Sequence, residues 1–268
     1  MAKLGRLAKQ RQILDITFGI LALLVITVIA TVVWWSLKEQ PKEPNPITLC
    51  PHDGAIGHYV LLVDKTDPLS FIQKQTFSVT LRELIEKRIP EGFLISVFVL
   101  GEDFKENATP LIELCNPGSD VGKSEYTSNL EKLRRQYNEK FLDPLLKQSE
   151  ALLAVQPSKN SPILEMLQLV SINAFRKHDI KGERRLIIMS DMIHNMPQMS
   201  MYKGPVSYAS FAATDYGKRA QLELNGVAIE LHYLMNTPQL QTKRYLQFWE
   251  EYFEKAGAHI QSVRPLEG

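Results

Sequence analysis

Hydrophobic and polar positions repeat with a different period in each part of the chain. Residues 16–35, "ITFGILALLVITVIATVVWW", are apolar and carry no charge. A helix of that length rises about 30 Å, the thickness of a bilayer's hydrocarbon core. Trp34 and Trp35 sit where an interfacial aromatic belt belongs. They also stand where a signal peptidase needs small residues, and the run is longer than a usual signal core. A membrane-spanning helix is therefore expected over residues 13–37, in preference to a cleaved leader. "KEQPKEPNP", at 38–46, is charged and proline-rich. It predicts an extended linker over 38–56.

Beyond the linker, strand and helix periods alternate. Residues 59–63, "YVLLV", form a continuous apolar run, as in a strand buried on both faces. Phe77, Leu81, Leu84 and Ile85 recur at three and four and predict a helix over 70–88. "FLISVFVLG", at 93–101, is a second buried strand. "PLIELC", at 110–115, follows too soon for a helical crossover, so it should run antiparallel to the second. A helical stretch over 129–153 restarts at Pro144. The next helix should open with Ser161 as N-cap and Pro162 at the first helical position. "RRLIIMSD" (184–191), "GVAIELHYL" (226–234) and "AHIQSV" (258–263) complete six strands. An amphipathic helix, "RYLQFWEEYFEKAG", ends at Gly257. Six strands with interleaved helices make a doubly wound α/β domain with a mostly parallel sheet, over 57–268. Ligands of such sheets bind beyond the carboxyl ends of the strands. Asp64 and Asp191 both fall there.

Charge adds topology and removes function classes. The net charge is +1, from 31 basic and 30 acidic residues. No nucleic-acid or phosphate-binding face is implied. Lys3, Arg6, Lys9 and Arg11 precede the span, while Lys38 and Lys42 follow it. The excess makes 1–12 a basic cytoplasmic tail and places the domain outside the cytosol, in the periplasm of a Gram-negative cell. Two cysteines without a CxxC do not make a zinc site. "PGSDVGKSEY", at 117–126, misses a P-loop by one residue, since Gly118 is one position too close to Gly122-Lys123-Ser124. No nucleotide is expected. His178, His194 and His232 lie on separate elements, and no Gly-x-Ser-x-Gly elbow is present. Residues 195–217, rich in Met and Tyr, suit either a recognition loop or a cover over the sheet edge.

The chemistry-bearing residues at the strand ends are oxygen donors. Asp64, Thr66 and Asp67 follow the first strand, Ser161 precedes a helix, and Asp191 ends the fourth strand behind Ser190. Carboxylates and hydroxyls without His or Cys suit Mg²⁺, Mn²⁺ or Ca²⁺. The local alternative makes the aspartates helix caps and gives Thr66 a turn to close.

In this order the residues resemble the von Willebrand factor A domain with its metal-ion-dependent adhesion site. That site uses D-x-S-x-S after the first strand, a Thr or Ser on a central loop, and an Asp after the fourth strand. "VLLVDKTDP" places Asp64 and Thr66 on the first acid and hydroxyl. "NSPILEML" is similar to the family's G-T-P-L-x-x-A-L segment and puts Ser161 on the central hydroxyl. "RRLIIMSD" closes on Asp191. The resemblance covers residues 59–263. It implies strand order 3-2-1-4-5-6 with the third strand antiparallel, a divalent cation such as Mg²⁺, and a protein partner, held either by an acid that completes the metal shell or by shape alone. It implies a binding module rather than an enzyme: an adhesion or assembly subunit of a cell-envelope complex. Loss of Asp64 should then spare the fold and relieve repulsion with Asp67 and Asp191. The chain departs from the motif at Pro68, which has no ligand atom where the second hydroxyl belongs; Asp67 or Ser70 would have to compensate. Two alternatives stay open. One is a structural membrane-complex subunit with a dead metal site. The other is a metal-dependent hydrolase or phosphotransferase using the same acids, although no nucleophile or general base stands beside them.

The implied strand order also bears on Cys50 and Cys115. Both would lie at the sheet edge opposite Asp64. Strands one and three are two spacings apart, about 9.6 Å, beyond the roughly 7 Å that a disulfide spans. Residues 51–57 would have to carry Cys50 across. A disulfide is expected; the alternative is two separate buried thiols.

Overall fold

The structure is a computed structural model. It describes residues 18–35, 44–124, 129–152, 158–204 and 206–267, with side chains 149–151 excepted. Two compact units divide at Glu43/Pro44. In the first, α1 (Phe18–Trp35) is an exposed apolar helix long enough to cross a membrane. Thr27 and Thr31 turn their hydroxyls back onto the carbonyls of Leu24 and Val28, both at 2.8 Å. Their polarity is thereby satisfied within the helix, as a bilayer requires. The basic tail 1–12, the flanking charges Lys38 and Lys42, and linker residues 38–43 lie outside the described residues.

The second unit is built on six strands: β1 (His58–Asp64), β2 (Leu94–Leu100), β3 (Ile112–Cys115), β4 (Arg184–Ser190), β5 (Ala228–Met235) and β6 (His259–Glu267). Their order is β3-β2-β1-β4-β5-β6. Every neighbouring pair is parallel except β2–β3, where Leu94 faces Cys115. β1 lies between β2 and β4 and is buried along its whole length. The pleat sends alternate residues to opposite faces. Leu61 and Val63 join Phe77 and Leu81 of α2 (Phe71–Glu83) and Leu145 of α4 (Asp143–Leu152). Val60 and Leu62 join Leu164 and Leu167 of α5 (Ile163–Val170) and Trp249 of α8 (Lys243–Lys255). The continuous apolar runs of β1 and β2 have this cause: helices cover both faces.

The expected elements are present, with adjustments. The stretch over 129–153 is α3 (Leu130–Tyr137), capped by Asn129, then a π-helical turn Asn138–Leu142, then α4 with Pro144 in its first turn. A proline is tolerated there because its missing N–H would have had no intrahelical partner. The final strand runs on to Glu267, and its pairing with β5 shifts register between Ile229 and Glu230. The described residues of 195–217 form a hairpin of two two-residue strands, a 3₁₀ turn, α6 (Tyr208–Ala213) and the start of α7 (Asp215–Arg219). Met201 and Phe211 of that segment are in the core, whereas Tyr202 is 46% exposed.

One expectation is corrected. Ser161 does not cap the following helix. α5 starts at Ile163, with Pro162 in the capping position and no side-chain cap. Ser161 instead forms an isolated antiparallel bridge with Asn195. A long-range backbone pairing has taken the residue that local capping rules assign to the helix.

Cys50 and Cys115 are joined, with Cα atoms 4.7 Å apart. The residues before Cys50 take part as well. The Cys115 N–H donates to the Thr48 carbonyl at 2.8 Å, so this strap runs against the end of β3. Cys115 pairs with Leu94 at the start of β2, hence at the edge of the sheet away from Asp64.

Candidate metal and recognition site

Asp64 is the last residue of β1 and is 4% exposed. The chain turns directly behind it, and the turn is organised by its carboxylate. Oδ1 accepts from the Thr66 N–H at 2.9 Å and the Thr66 hydroxyl at 2.6 Å, the arrangement by which an aspartate closes a turn on its own backbone. Oδ2 accepts from the Ser190 hydroxyl at 2.6 Å, across to the end of β4. Thr66 Oγ1 is in turn 3.1 Å from Ser161 Oγ. The Ser158 N–H donates to the Thr66 carbonyl at 3.0 Å, tying the two loops together.

Asp191 follows β4 and is 2% exposed. Its Oδ1 accepts from the Ile193 N–H at 2.9 Å, and its carbonyl accepts from Gln241 Nε2 at 3.1 Å. Met192, between them, takes a positive φ of 58°, a backbone state of higher energy for a residue with a side chain. Oδ2 of Asp191 is buried with no hydrogen-bond donor on it. The half-buried carboxyl of Asp67 interacts with that of Asp191. Two carboxylates bond only by sharing a proton, so the contact is attractive in one protonation state and repulsive in the other.

The pKa directions follow. Burial raises Asp64 against the bonds from Ser190 and Thr66 that favour its ionised form, and Asp67 adds to the rise. Burial also raises Asp67, against its contact with Asp191. Asp191 is pushed well above the carboxylate range by burial, then by the charges of Asp64 and Asp67. The half-exposed phenol of Tyr202 feels the same field. It is pushed up to about 12 by burial and then by Asp191, Asp67 and Asp64.

The structure thus brings Asp64, Thr66, Ser161 and Asp191 together, with Asp67 beside them. Ser70 is engaged elsewhere: its Oγ accepts from the Gln73 N–H at 3.1 Å while Gln73 Oε1 accepts from the Ser70 N–H at 2.9 Å, a capping box for α2. Pro68 is exposed on the turn. Two contributors lie outside the residues expected to hold a metal. Ser190 is the second partner of Asp64, and a hydroxyl directly before a strand-end acid was the available signal. Gln241 acts through a long-range contact that leaves no local pattern. In the near-P-loop, Lys123 Nζ is paired with Glu91 at 3.0 Å.

Among the described residues, no three His, Cys, Asp or Glu side chains gather as metal ligands. A cation here would be held by Asp64 and Asp191 with the hydroxyls of Thr66 and Ser161. The donor set fits: every atom is a hard oxygen, and the buried Oδ2 of Asp191 is an acceptor that receives no hydrogen bond.

No protein family matches the sequence, nor does any curated protein. Solved structures do resemble it. The VWA domain of SpRpn10 shares 9% identity over 80% of this chain and 89% of that one, with a TM-score of 0.40. An aerotolerance-related membrane protein from Bacteroides fragilis, carrying multiple mutations to serines, shares 8% over 78% and 90%, with a TM-score of 0.37. The conserved hypothetical protein BatB from Bacteroides thetaiotaomicron shares 9% over 79% and 90%, with a TM-score of 0.34. The strand order, the antiparallel β3 and the helices on both faces make the fold that of a von Willebrand factor A-like domain. An apolar helix precedes it in the chain.

Proposed function

We propose that this chain is a membrane-anchored, A-domain-like interaction module that takes a protein partner at the Asp64–Asp191 edge of its sheet, with a divalent cation such as Mg²⁺ held there. In this reading it is an adhesion or assembly subunit of a cell-envelope complex, and the basic flank before the apolar helix keeps the domain outside the cytosol. The observation that carries the reading is the bare, buried Oδ2 of Asp191 beside two further aspartates. Buried acids with raised pKa values and an unpartnered oxygen cluster where a ligand completes them. Asp64 and Asp191 would hold the ion, and Thr66 and Ser161 would orient it. When bound, the cation would supply a Lewis-acidic position for an acidic side chain of the partner. Pro68 and the capping role of Ser70 support a second reading, a structural subunit of a membrane complex with no working metal site.

The test uses the full chain in detergent. Mg²⁺ or Mn²⁺ up to about 10 mM, the range of weak extracellular sites, should raise the Tm of the parent and leave Asp191→Asn unmoved. Partner co-purification should fall when a chelator is added. No cation-induced shift in the Tm of the parent at any concentration, with co-purification unaffected by chelator, would replace the first reading by the second.

A further inference from the structure

The start of α5 lacks a cap of its own. Pro162 makes no side-chain capping bond, and the first N–H groups of a helix need acceptors. His194 supplies one from outside the helix: its Nδ1 lies 3.5 Å from the nitrogen of Leu164, which donates to it. The ring is 0% exposed, and burial pulls its pKa down to about 3, so it is neutral. A neutral imidazole that accepts at Nδ1 must carry its proton on Nε2. Nε2 faces the Tyr216 hydroxyl at 3.0 Å, and that hydroxyl donates its own proton to Glu165 Oε1 at 2.6 Å. Glu165 is in the first turn of α5, where negative charge suits the helix end. The chain of bonds thus leaves α5 at Leu164 and returns to it at Glu165, with each proton assigned a direction.

The next residue, Asn195, exchanges two backbone bonds with Ser161, at 2.8 and 3.0 Å. His194 and Asn195 therefore grip the start of α5 and Ser161 from the same segment. We propose that His194 is a positioning residue that, locked as the Nε2–H tautomer by Tyr216, holds Ser161 against Thr66 at the acid edge. The proposal rests on the reading of that edge as the recognition site. It makes Tyr216, on α7, a determinant of where the Ser161 hydroxyl stands.

The experiment is NMR of the full chain in detergent with ring-¹⁵N histidine, together with residue-resolved amide exchange. The expected His194 signal has a bare Nδ1 and a protonated Nε2. His194→Leu should speed exchange at the Ser161 and Asn195 amides at least about tenfold more than at Val60 and Leu62 of β1, because the opening is local. His194→Gln, whose amide oxygen can accept from Leu164, should restore most of the protection. Tyr216→Phe should give a smaller rise at the same two amides. A proton on Nδ1, an equal rise in β1, or failure of the glutamine to rescue would each overturn the proposal. Should His194→Leu not fold, Tyr216→Phe decides, since no local rise at Ser161 overturns it. These readouts need no ligand. A parent with no cation response but the expected exchange pattern would sink the functional reading and leave the positioning role standing; the opposite pattern would do the reverse.

Discussion

β1 begins at His58 and ends at Asp64, both buried, and its two ends treat charge in opposite ways. At the first end, His58 Nε2 is 2.8 Å from Ser96 Oγ, and that hydroxyl donates to Glu113 Oε2 at 3.0 Å. His178 Nε2 and Lys177 Nζ approach the same carboxylate at 3.0 and 3.4 Å. Burial lowers His58 to about 3, so it stays neutral. Burial pulls Glu113 up, but His178, Ser96 and Lys177 outweigh it and hold the carboxyl down to about 2. The disulfide closes over this same end. At the other end three aspartates are all raised, and among the described residues no Lys, Arg or His pairs with them. One end has its charge answered within the chain and is stapled. The other is met by hydroxyl and backbone N–H donors alone.

The largest test of this contrast is removal of the staple. The bridge closes a loop with a sequence separation of 65, for which chain entropy gives about 4 kcal/mol. Cys115→Ser should lower the unfolding free energy by that order, measured by denaturant titration. Next comes Glu113→Ala, which strips the acceptor from Ser96, His178 and Lys177 and should cost about 3 kcal/mol. At the acid end the two strand-end aspartates should part company. Asp64 accepts three hydrogen bonds, so Asp64→Ala leaves buried donors bare and should cost about 2 kcal/mol. This revises the sequence-based expectation that losing Asp64 spares the fold. Asp191→Asn retains an oxygen for the Ile193 N–H and removes a repelled charge, so it should stabilise by about 1 kcal/mol. Equal destabilisation by Asp64→Ala and Asp191→Asn would break the contrast.

The smallest effect is a slope with pH. His58 takes a proton at 6.5 when unfolded but only near 3 when folded. Between these values the unfolded state binds more protons, and stability falls as pH falls. Asp191 has the opposite sign: its folded value lies above 3.8, so between the two the folded state binds more protons and stability rises as pH falls. Acid melts of Asp191→Asn should therefore lose stability faster than those of the parent, by a fraction of the roughly 1.4 kcal/mol per pH unit that one proton carries. Parallel slopes would mean that Asp191 is ionised normally.

What sequence could yield depended on the range of the interaction. β1 and β2 were legible because burial on both faces leaves an unbroken apolar run, and β3 because its distance from β2 leaves no room for a crossover. Asp64, Thr66 and Asp191 were legible because strand ends and turn chemistry are local. Ser161 was assigned the right neighbourhood but the wrong backbone role, since its bridge to Asn195 spans 34 positions that no window sees. Ser70 was offered to the metal although Gln73 three residues on already spelled a capping box. The His194–Tyr216–Glu165 chain joins three elements and had no signature at all.

The strap that ends in Cys50 has a mechanical side. A tug along the chain from the apolar helix reaches the domain at Pro44 and then at Cys50. With the bridge intact it is shared at once with Cys115, and so with the β3–β2 pair. Residues 51–57 stay slack, and His58 is not the sole point of attachment. A tether with two anchorages resists peeling at the first strand, and a domain built this way can be pulled upon without loosening the strand that carries Asp64.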